Sequence, residues 1–183
     1  MIGIHTVPGA FSAGECDAIC ACAAAHPRQE AALVGQVRDH NLRRAELVWL
    51  DEAPDTGWIM ARIIDVVRQA NRETFGFDIT EFAESPQIAL YRAAREGHFD
   101  WHADIGDGRL AAKRKLTMVV QLTAPGAYDG GDLELMPSAQ VTRAARDRGS
   151  ATLFPSFLLH RVTPVRRGQR QSLTTWCHGP AFR

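Results

Sequence analysis

The chain has 183 residues, enough for one domain with a buried core and too short for two comfortable ones. Apolar residues make up 45% and charged residues 23%, which excludes a disordered polyelectrolyte, and a formal net charge of zero gives no overall attraction to nucleic acid or an anionic membrane. No apolar run approaches the roughly 20 residues of a bilayer-crossing helix, and Met1-Ile2-Gly3-Ile4-His5 lacks a basic stretch ahead of an apolar one, so a cytoplasmic protein with no membrane and no nucleic-acid partner is expected.

Ser12-Ala13-Gly14-Glu15 has the form of a capping box, in which the serine side chain meets an open backbone N–H and the glutamate reaches back to the cap. It predicts a helix to about Ala25, stopped by His26-Pro27 because proline disfavours helical backbone in the residue before it. Cys16, Cys20 and Cys22 fall on this helix, and with His26 they suggest a zinc site. At 100° per residue, however, Cys22 points away from Cys20, so small buried apolar side chains are the expected role, as for the fourth cysteine, Cys177. Ala31 to Val37 and Leu42 to Leu50 alternate as strands, and Asp39-His40-Asn41 between them predicts a hairpin. From Thr56 to about Phe75, Ile59, Ile63, Val67 and Ala70 recur at helical spacing, with Asp55 or Thr56 as cap.

After Gly76 the pattern changes to short strand-like runs separated by Gly, Pro or Asp: Phe77 to Phe82, Gln87 to Arg92, His98 to Asp104, Leu116 to Thr123, Asp132 to Met136, Ala151 to Pro155, Leu158 to Pro164 and Arg170 to His178. The expected fold class is mainly β with flanking N-terminal α-helices, a sandwich or jelly roll. Gly106 to Lys113 and Arg143 to Gly149 are expected to be long loops, and the basic groups Lys113-Arg114-Lys115 and Arg166-Arg167 to be solvated turns.

Two histidines and a carboxylate on one face of an iron(II) ion leave three positions open, the arrangement non-haem oxygenases use. Residues two apart in a strand share a face, so His102 and Asp104 can reach one metal. His98-Phe99-Asp100 has the same form; His102 and Asp104 are preferred because Ile105-Gly106-Asp107-Gly108 follows and places them at an open strand end. The third candidate is His160, in the apolar run Leu158-Leu159-His160-Arg161-Val162. Arg170 follows the apparent turn Val165-Arg166-Arg167-Gly168-Gln169, on a strand expected to lie beside that of His160 and to carry Arg170, Ser172, Thr174 and Trp176 on one face. No acid occurs between His160 and the C-terminus, so an interior Arg170 calls for a bound carboxylate, with Thr174 and Tyr91 suited to add hydroxyl donors. Trp101, Trp176 and the 106–113 loop are candidate pocket walls.

Tyr91, Phe99-Asp100-Trp101-His102-Ala103-Asp104, Arg114-Lys115-Leu116-Thr117, Tyr128-Asp129-Gly130-Gly131-Asp132-Leu133, Phe154-Pro155, His160-Arg161-Val162-Thr163-Pro164-Val165 and Gly168-Gln169-Arg170 occur in the order and approximate spacing of one family. The chain resembles the prolyl 4-hydroxylase-like branch of the iron(II)/2-oxoglutarate oxygenases. The resemblance implies a double-stranded β-helix of cupin-like jelly-roll form, with one domain over 1–183, a helical and strand support region at 1–85 and a catalytic core at 86–183. It implies that His102, Asp104 and His160 bind iron(II), that Arg170 grips the distal carboxylate of 2-oxoglutarate, and that Tyr91 and Thr174 lie near that cosubstrate. Many collagen-type relatives have lysine at the position of Arg170.

The implied activity is dioxygen-dependent hydroxylation of an unactivated C–H bond of a peptidyl residue, amino acid or small metabolite, with release of succinate and carbon dioxide and with ascorbate as an optional reductant. The competing readings are a cupin-type hydrolase or isomerase that uses zinc or manganese without an oxo acid, and a jelly-roll binding module with structural histidines.

Overall fold

The computed structural model describes residues 3–31, 42–50 and 56–182. A short strand, β1 (His5–Val7), precedes α1 (Ala13–Ala25), which opens as its sequence predicts: Ser12 Oγ accepts from the Glu15 N–H at 3.2 Å, and the Glu15 carboxylate accepts from the Ser12 N–H at 2.7 Å. β2 (Gln29–Glu30), β3 (Arg43–Arg44) and β4 (Glu46–Trp49) follow, then α2 (Gly57–Ala70), which buries Ile59, Ile63, Val67 and Ala70. Most of the expected 31–37 strand and its turn at Asp39-His40-Asn41 lie outside the described residues. The second half of the expected hairpin is two strands, because the chain changes sheets at Ala45.

α2 is prolonged by a π-helical turn, Asn71–Phe75, and ends at Gly76, whose φ of 62° suits glycine. The expected strand over 77–82 is absent. The Asn71 side chain holds both the N–H and the C=O of Phe77, each at 2.9 Å, and only a single bridge, Glu81 to His178, joins that segment to a sheet.

The remaining strands are β5 (Gln87–Arg92), β6 (His98–His102), β7 (Arg114–Gln121), β8 (Tyr128–Gly130), β9 (Leu133–Leu135), β10 (Thr142–Arg143), β11 (Ala151–Pro155), β12 (His160–Val162) and β13 (Val165–His178). They form two antiparallel sheets, the larger ordered β1-β11-β7-β13-β5-β4-β2 with β8 attached to β13, the smaller β10-β9-β12-β6-β3. This is the double-stranded β-helix. No helix among the described residues is long and apolar enough to cross a membrane.

Strand alternation divides the interior in two. Leu116, Met118 and Val120 of β7, with Ile88, Leu173 and Cys177, pack against Cys16, Ile19, Ile59, Ile63 and Val67 of the helices. Ala89, Tyr91, Val119, Leu133, Leu135, Phe154 and Val162 face inward between the sheets. Truncating a fully buried Leu116 or Met118 to alanine would cost about 2–5 kcal/mol. Cys16 and Cys177 are buried members of the helix-facing core, and the partly buried Cys20 thiol donates to Gln171 Oε1 at 3.1 Å.

Two further expectations are corrected. Residues 165–169 are not a turn: β13 runs unbroken from Val165, pairing first with β8 and then with β5 and β7, and Gly168 accommodates the close approach to Ala127 with a φ of 70°. His160 and Arg170 therefore stand on strands of different sheets, the chain crossing over at Thr163-Pro164. Arg114 and Lys115 are also buried at the start of β7 and not solvated, Arg114 against Glu84 and Lys115 over the Phe182 ring at 3.8 Å.

Candidate metal centre

His160 on β12 lies opposite His102, and Val162 lies opposite Phe99, with a β-bulge between the two pairs. The bulge breaks the two-residue period of β6, so His98 and Asp100 do not share the face of His102. Asp100 is exposed, whereas Phe99 stacks on the His102 ring with centroids 3.4 Å apart. The two His-X-Asp sequences are thereby separated: among the described residues, the cluster of metal-capable groups is His102, Asp104 and His160, whose donor atoms lie within 4.8 Å of one another.

Asp104 lies just beyond β6, in backbone held by two hydrogen bonds, from its own N–H and that of Ile105 to the Ser156 carbonyl, at 2.9 and 3.0 Å. Its carboxylate stands between the imidazoles, with Oδ1 3.6 Å from His102 Nε2 and Oδ2 3.5 Å from His160 Nε2. Thr117 Oγ1 donates to Asp104 Oδ2 at 2.7 Å and lies 3.1 Å from Ser156 Oγ.

The protonation states follow from geometry. His102 Nδ1 lies 2.7 Å from the Asp100 carbonyl and His160 Nδ1 lies 2.9 Å from that of Leu158. A carbonyl oxygen can only accept, so each Nδ1 carries the proton and each Nε2 offers a lone pair. Burial pushes the His160 imidazolium down to about 4. Burial alone would raise the Asp104 pKa, but the facing imidazoles in their protonated form, together with the Thr117 hydroxyl, outweigh it and hold the carboxyl well below its usual range, so Asp104 stays ionised when the imidazoles are neutral. The result is three converging acceptors with no donor among them, which a cation would satisfy.

Across the interior, Arg170 has no exposed surface, and no described carboxylate pairs with it. Nε donates to Gln121 Oε1 at 3.2 Å and Nη1 to Ser172 Oγ at 3.3 Å, while Nη2 is buried without a partner. Burial depresses the guanidinium pKa, against the pull of the Tyr91 and Tyr128 phenols, yet an arginine remains charged. Gly131, at φ 62°, lets the backbone come close: a Cβ there would stand 3.1 Å from Arg170 Cδ. Tyr91 is the cross-strand neighbour of Arg170, its ring centroid 5.4 Å from the guanidinium carbon, and Thr174 lies farther along the same face of β13.

The metal-capable triad, Arg170, Tyr91 and Thr174 all line one cavity of about 660 Å³. Its walls include Trp49, Trp176, Phe99 and the 108–111 segment, whereas Trp101 lies outside the lining with Arg161 4.8 Å above its ring. A buried ionic chain that sequence reasoning did not find supports the wall. Glu84 pairs bidentately with Arg114 at 2.7 and 2.5 Å and accepts from His178 Nε2 at 2.9 Å, while Arg114 Nη1 donates to the Asp104 carbonyl at 3.0 Å. His178 Nδ1 accepts from the Ala83 N–H, which fixes its tautomer. Nothing in the sequence marks Glu84; only the three-dimensional pairing does. Thr117 and Gln121 carried a weak signal as polar residues on one face of a strand whose positions 116 and 118–120 are apolar.

A family model described as the 2OG-Fe(II) oxygenase superfamily matches residues 86–178. A PKHD-type hydroxylase of Teredinibacter turnerae is 32% identical over 93 residues, covering 50% of this chain and 41% of the relative, so the chain spans well under two thirds of that protein. Among solved structures, a Pseudomonas putida prolyl-4-hydroxylase aligns with a TM-score of 0.78 at 22% identity over 98% of this chain and 94% of the other. A Trichoplax adhaerens prolyl hydroxylase in complex with a hypoxia inducible factor peptide fragment aligns with a TM-score of 0.81 at 17% identity, covering 97% of this chain and 84% of that one. These structural likenesses are of fold.

Proposed function

The chain belongs to the 2OG-Fe(II) oxygenase superfamily, and from that premise we propose that it is an iron(II)- and 2-oxoglutarate-dependent hydroxylase whose metal is held by His102, Asp104 and His160. One observation carries the reading: three acceptors that call for a cation share a cavity with a buried guanidinium that calls for a carboxylate. Bound together, iron(II) and 2-oxoglutarate would activate dioxygen, the oxidant, with one oxygen atom entering succinate as carbon dioxide is lost and the other entering the substrate C–H bond.

The residues of the chain do the rest. His102 and His160 each present Nε2 because a backbone carbonyl occupies Nδ1, and Thr117 aims the Asp104 carboxylate. Asp104 fills the third protein position, which leaves no halide site and favours hydroxylation. Arg170 pairs with the distal carboxylate of 2-oxoglutarate through the N–H that is otherwise unmet, with Gln121 and Ser172 fixing the orientation of its fork. Tyr91 and Thr174 border that cosubstrate. The sheets and the Trp49–Trp176 pair wall the cavity. The substrate is a peptidyl residue, an amino acid or a small metabolite.

An anaerobic titration tests the reading. Iron(II) and then 2-oxoglutarate should each bind stoichiometrically and produce a metal-to-ligand charge-transfer band, and admission of oxygen should release succinate. Metal binding without 2-oxoglutarate binding would favour the zinc or manganese cupin.

A further inference from the structure

We propose that Arg43 is a substrate-recognition residue and that the substrate of this site carries a carboxylate, a proposal that rests on the hydroxylase reading above. Most charges lining the cavity already have a destined partner. Glu84 is paired with Arg114 and His178, Asp104 faces the metal position, and Arg170 faces the oxo-acid position. Arg43, on β3 and lining the same cavity, pairs with no carboxylate among the described residues. Its Nη2 donates to the neutral Gln87 Oε1 at 3.0 Å, and its Nε is buried with no partner. A buried N–H left unmet is costly, and a guanidinium held by a neutral amide keeps its full charge for an incoming anion.

The surroundings fit a small anionic group. The Arg43 guanidinium carbon lies over Phe99, 4.4 Å from the ring centroid, and Phe99 stacks on His102, so the cation is held at one ring's remove from the metal face. Gln87 lies beside Trp49 in the sheet, and the Trp49–Trp176 pair, with centroids 6.3 Å apart, forms an apolar wall in which Trp176 Nε1 is a second unmet donor. Arg109, exposed at the edge of the cavity, adds another cation. A substrate with a carboxylate near the carbon to be hydroxylated would place the anion on Arg43 and its apolar part along the tryptophans. The carboxylate could come from a free amino acid or from an acidic side chain of a peptide, and the experiment separates them.

Wild-type protein and Arg43→Gln would be loaded with iron(II) and 2-oxoglutarate. They would be challenged with the free L-amino acids, with the corresponding carboxamides, and with N-acetylated, C-amidated peptides containing Asp or Glu. Binding would be followed by quenching of tryptophan fluorescence without oxygen, and turnover by succinate. The expected result is that acids or acidic peptides bind at least about tenfold more tightly than their amides, as loss of a charge-assisted hydrogen bond implies. Arg43→Gln should abolish that preference, and Arg43→Lys should restore part of it. Stimulation by free acids would assign the carboxylate to an amino acid, and stimulation by acidic peptides to a side chain.

Equal binding of acid and amide, or a preference that survives Arg43→Gln, overturns the proposal. So does a loss of iron binding or of substrate-free succinate release in Arg43→Gln, which would make Arg43 a prop for the Phe99–His102 stack. Failure of the wild-type protein to form any succinate would count against the hydroxylase reading itself, a separate outcome read before any substrate is added.

Discussion

His160 and Arg170 are close in sequence, yet they stand on strands of opposite sheets and line one cavity, the imidazole on β12 and the guanidinium on β13. On the proposed reading, an oxo acid that chelates the metal at one end would meet Arg170 with the carboxylate at its other end. The separation makes the two functions dissectable by mutation.

His160→Ala removes one of three converging donors and should reduce iron content from stoichiometric to trace. The loss of affinity should exceed the roughly 10- to 100-fold typical of an outer-layer partner. Iron analysis and calorimetric titration check this, and retention of tightly bound, catalytically active iron would count against the triad.

Arg170→Met replaces a buried cation with an apolar side chain of similar length. The 2-oxoglutarate KM should rise by about 10- to 100-fold, the equivalent of about 1.5–3 kcal/mol, while iron affinity stays unchanged. The variant removes an unpaired buried charge but also takes a donor from Gln121 and Ser172, two opposing effects on the melting temperature, so the diagnostic is the KM of the folded protein. An unchanged KM would remove Arg170 from cosubstrate binding.

Thr117→Val conserves shape and deletes the hydroxyl that donates to Asp104 Oδ2 at 2.7 Å. Iron affinity should fall by about 10- to 100-fold with little change in the 2-oxoglutarate KM measured at saturating iron. The reverse pattern, a KM effect at full metal occupancy, would be inconsistent with a role through the carboxylate.

Glu84 gives a pH signature. Burial opposes its ionisation, but hydrogen bonds from His178 and Arg114 outweigh that and lower its pKa from an ordinary 4.5 to about 2. A depressed carboxylate pKa contributes stability that is fully present above the unfolded value and is lost as pH falls through the folded one. The difference in melting temperature between the wild type and Glu84→Gln should therefore be constant from neutral pH to about 4.5 and shrink towards pH 2. A difference that persisted unchanged at pH 2 would mean that the ion pair is not its source.

Cys16 and Cys177 are fully buried, and burial raises both thiol pKa values, that of Cys177 to about 12. Neither should react with a disulfide reagent at pH 8 until the protein is denatured, as mass mapping of labelled peptides would show. Native-state labelling of Cys177 would contradict the packing of β13 against the helices.

Much of the architecture was readable because helix periods and strand-like runs leave direct marks: the Ser12 capping box, the Ile59, Ile63, Val67, Ala70 stripe and the short strand beginning near Leu116 all appear where the sequence implies them. The meeting of His102, Asp104 and His160 was readable through a short motif and one distant histidine. What the sequence hid were events with no local signature. The bulge in β6 involves no glycine or proline, so nothing told His98-Phe99-Asp100 apart from His102-Ala103-Asp104 except their geometry. Arg166-Arg167-Gly168-Gln169 has turn chemistry, yet pairing with β8 draws it into a strand. The burial of Arg114 depends on Glu84, which lies outside any strand and whose importance is conferred wholly by its partners.

β13 turns Arg170, Ser172, Thr174 and Trp176 towards the cavity and Leu173 and Cys177 towards the helices. One ribbon thus forms both the floor of the reaction chamber and the bed on which the helices rest. Loosening either side must disturb the other, so catalytic capacity and global cohesion should disappear together on heating, with no partly melted species that retains a working chamber.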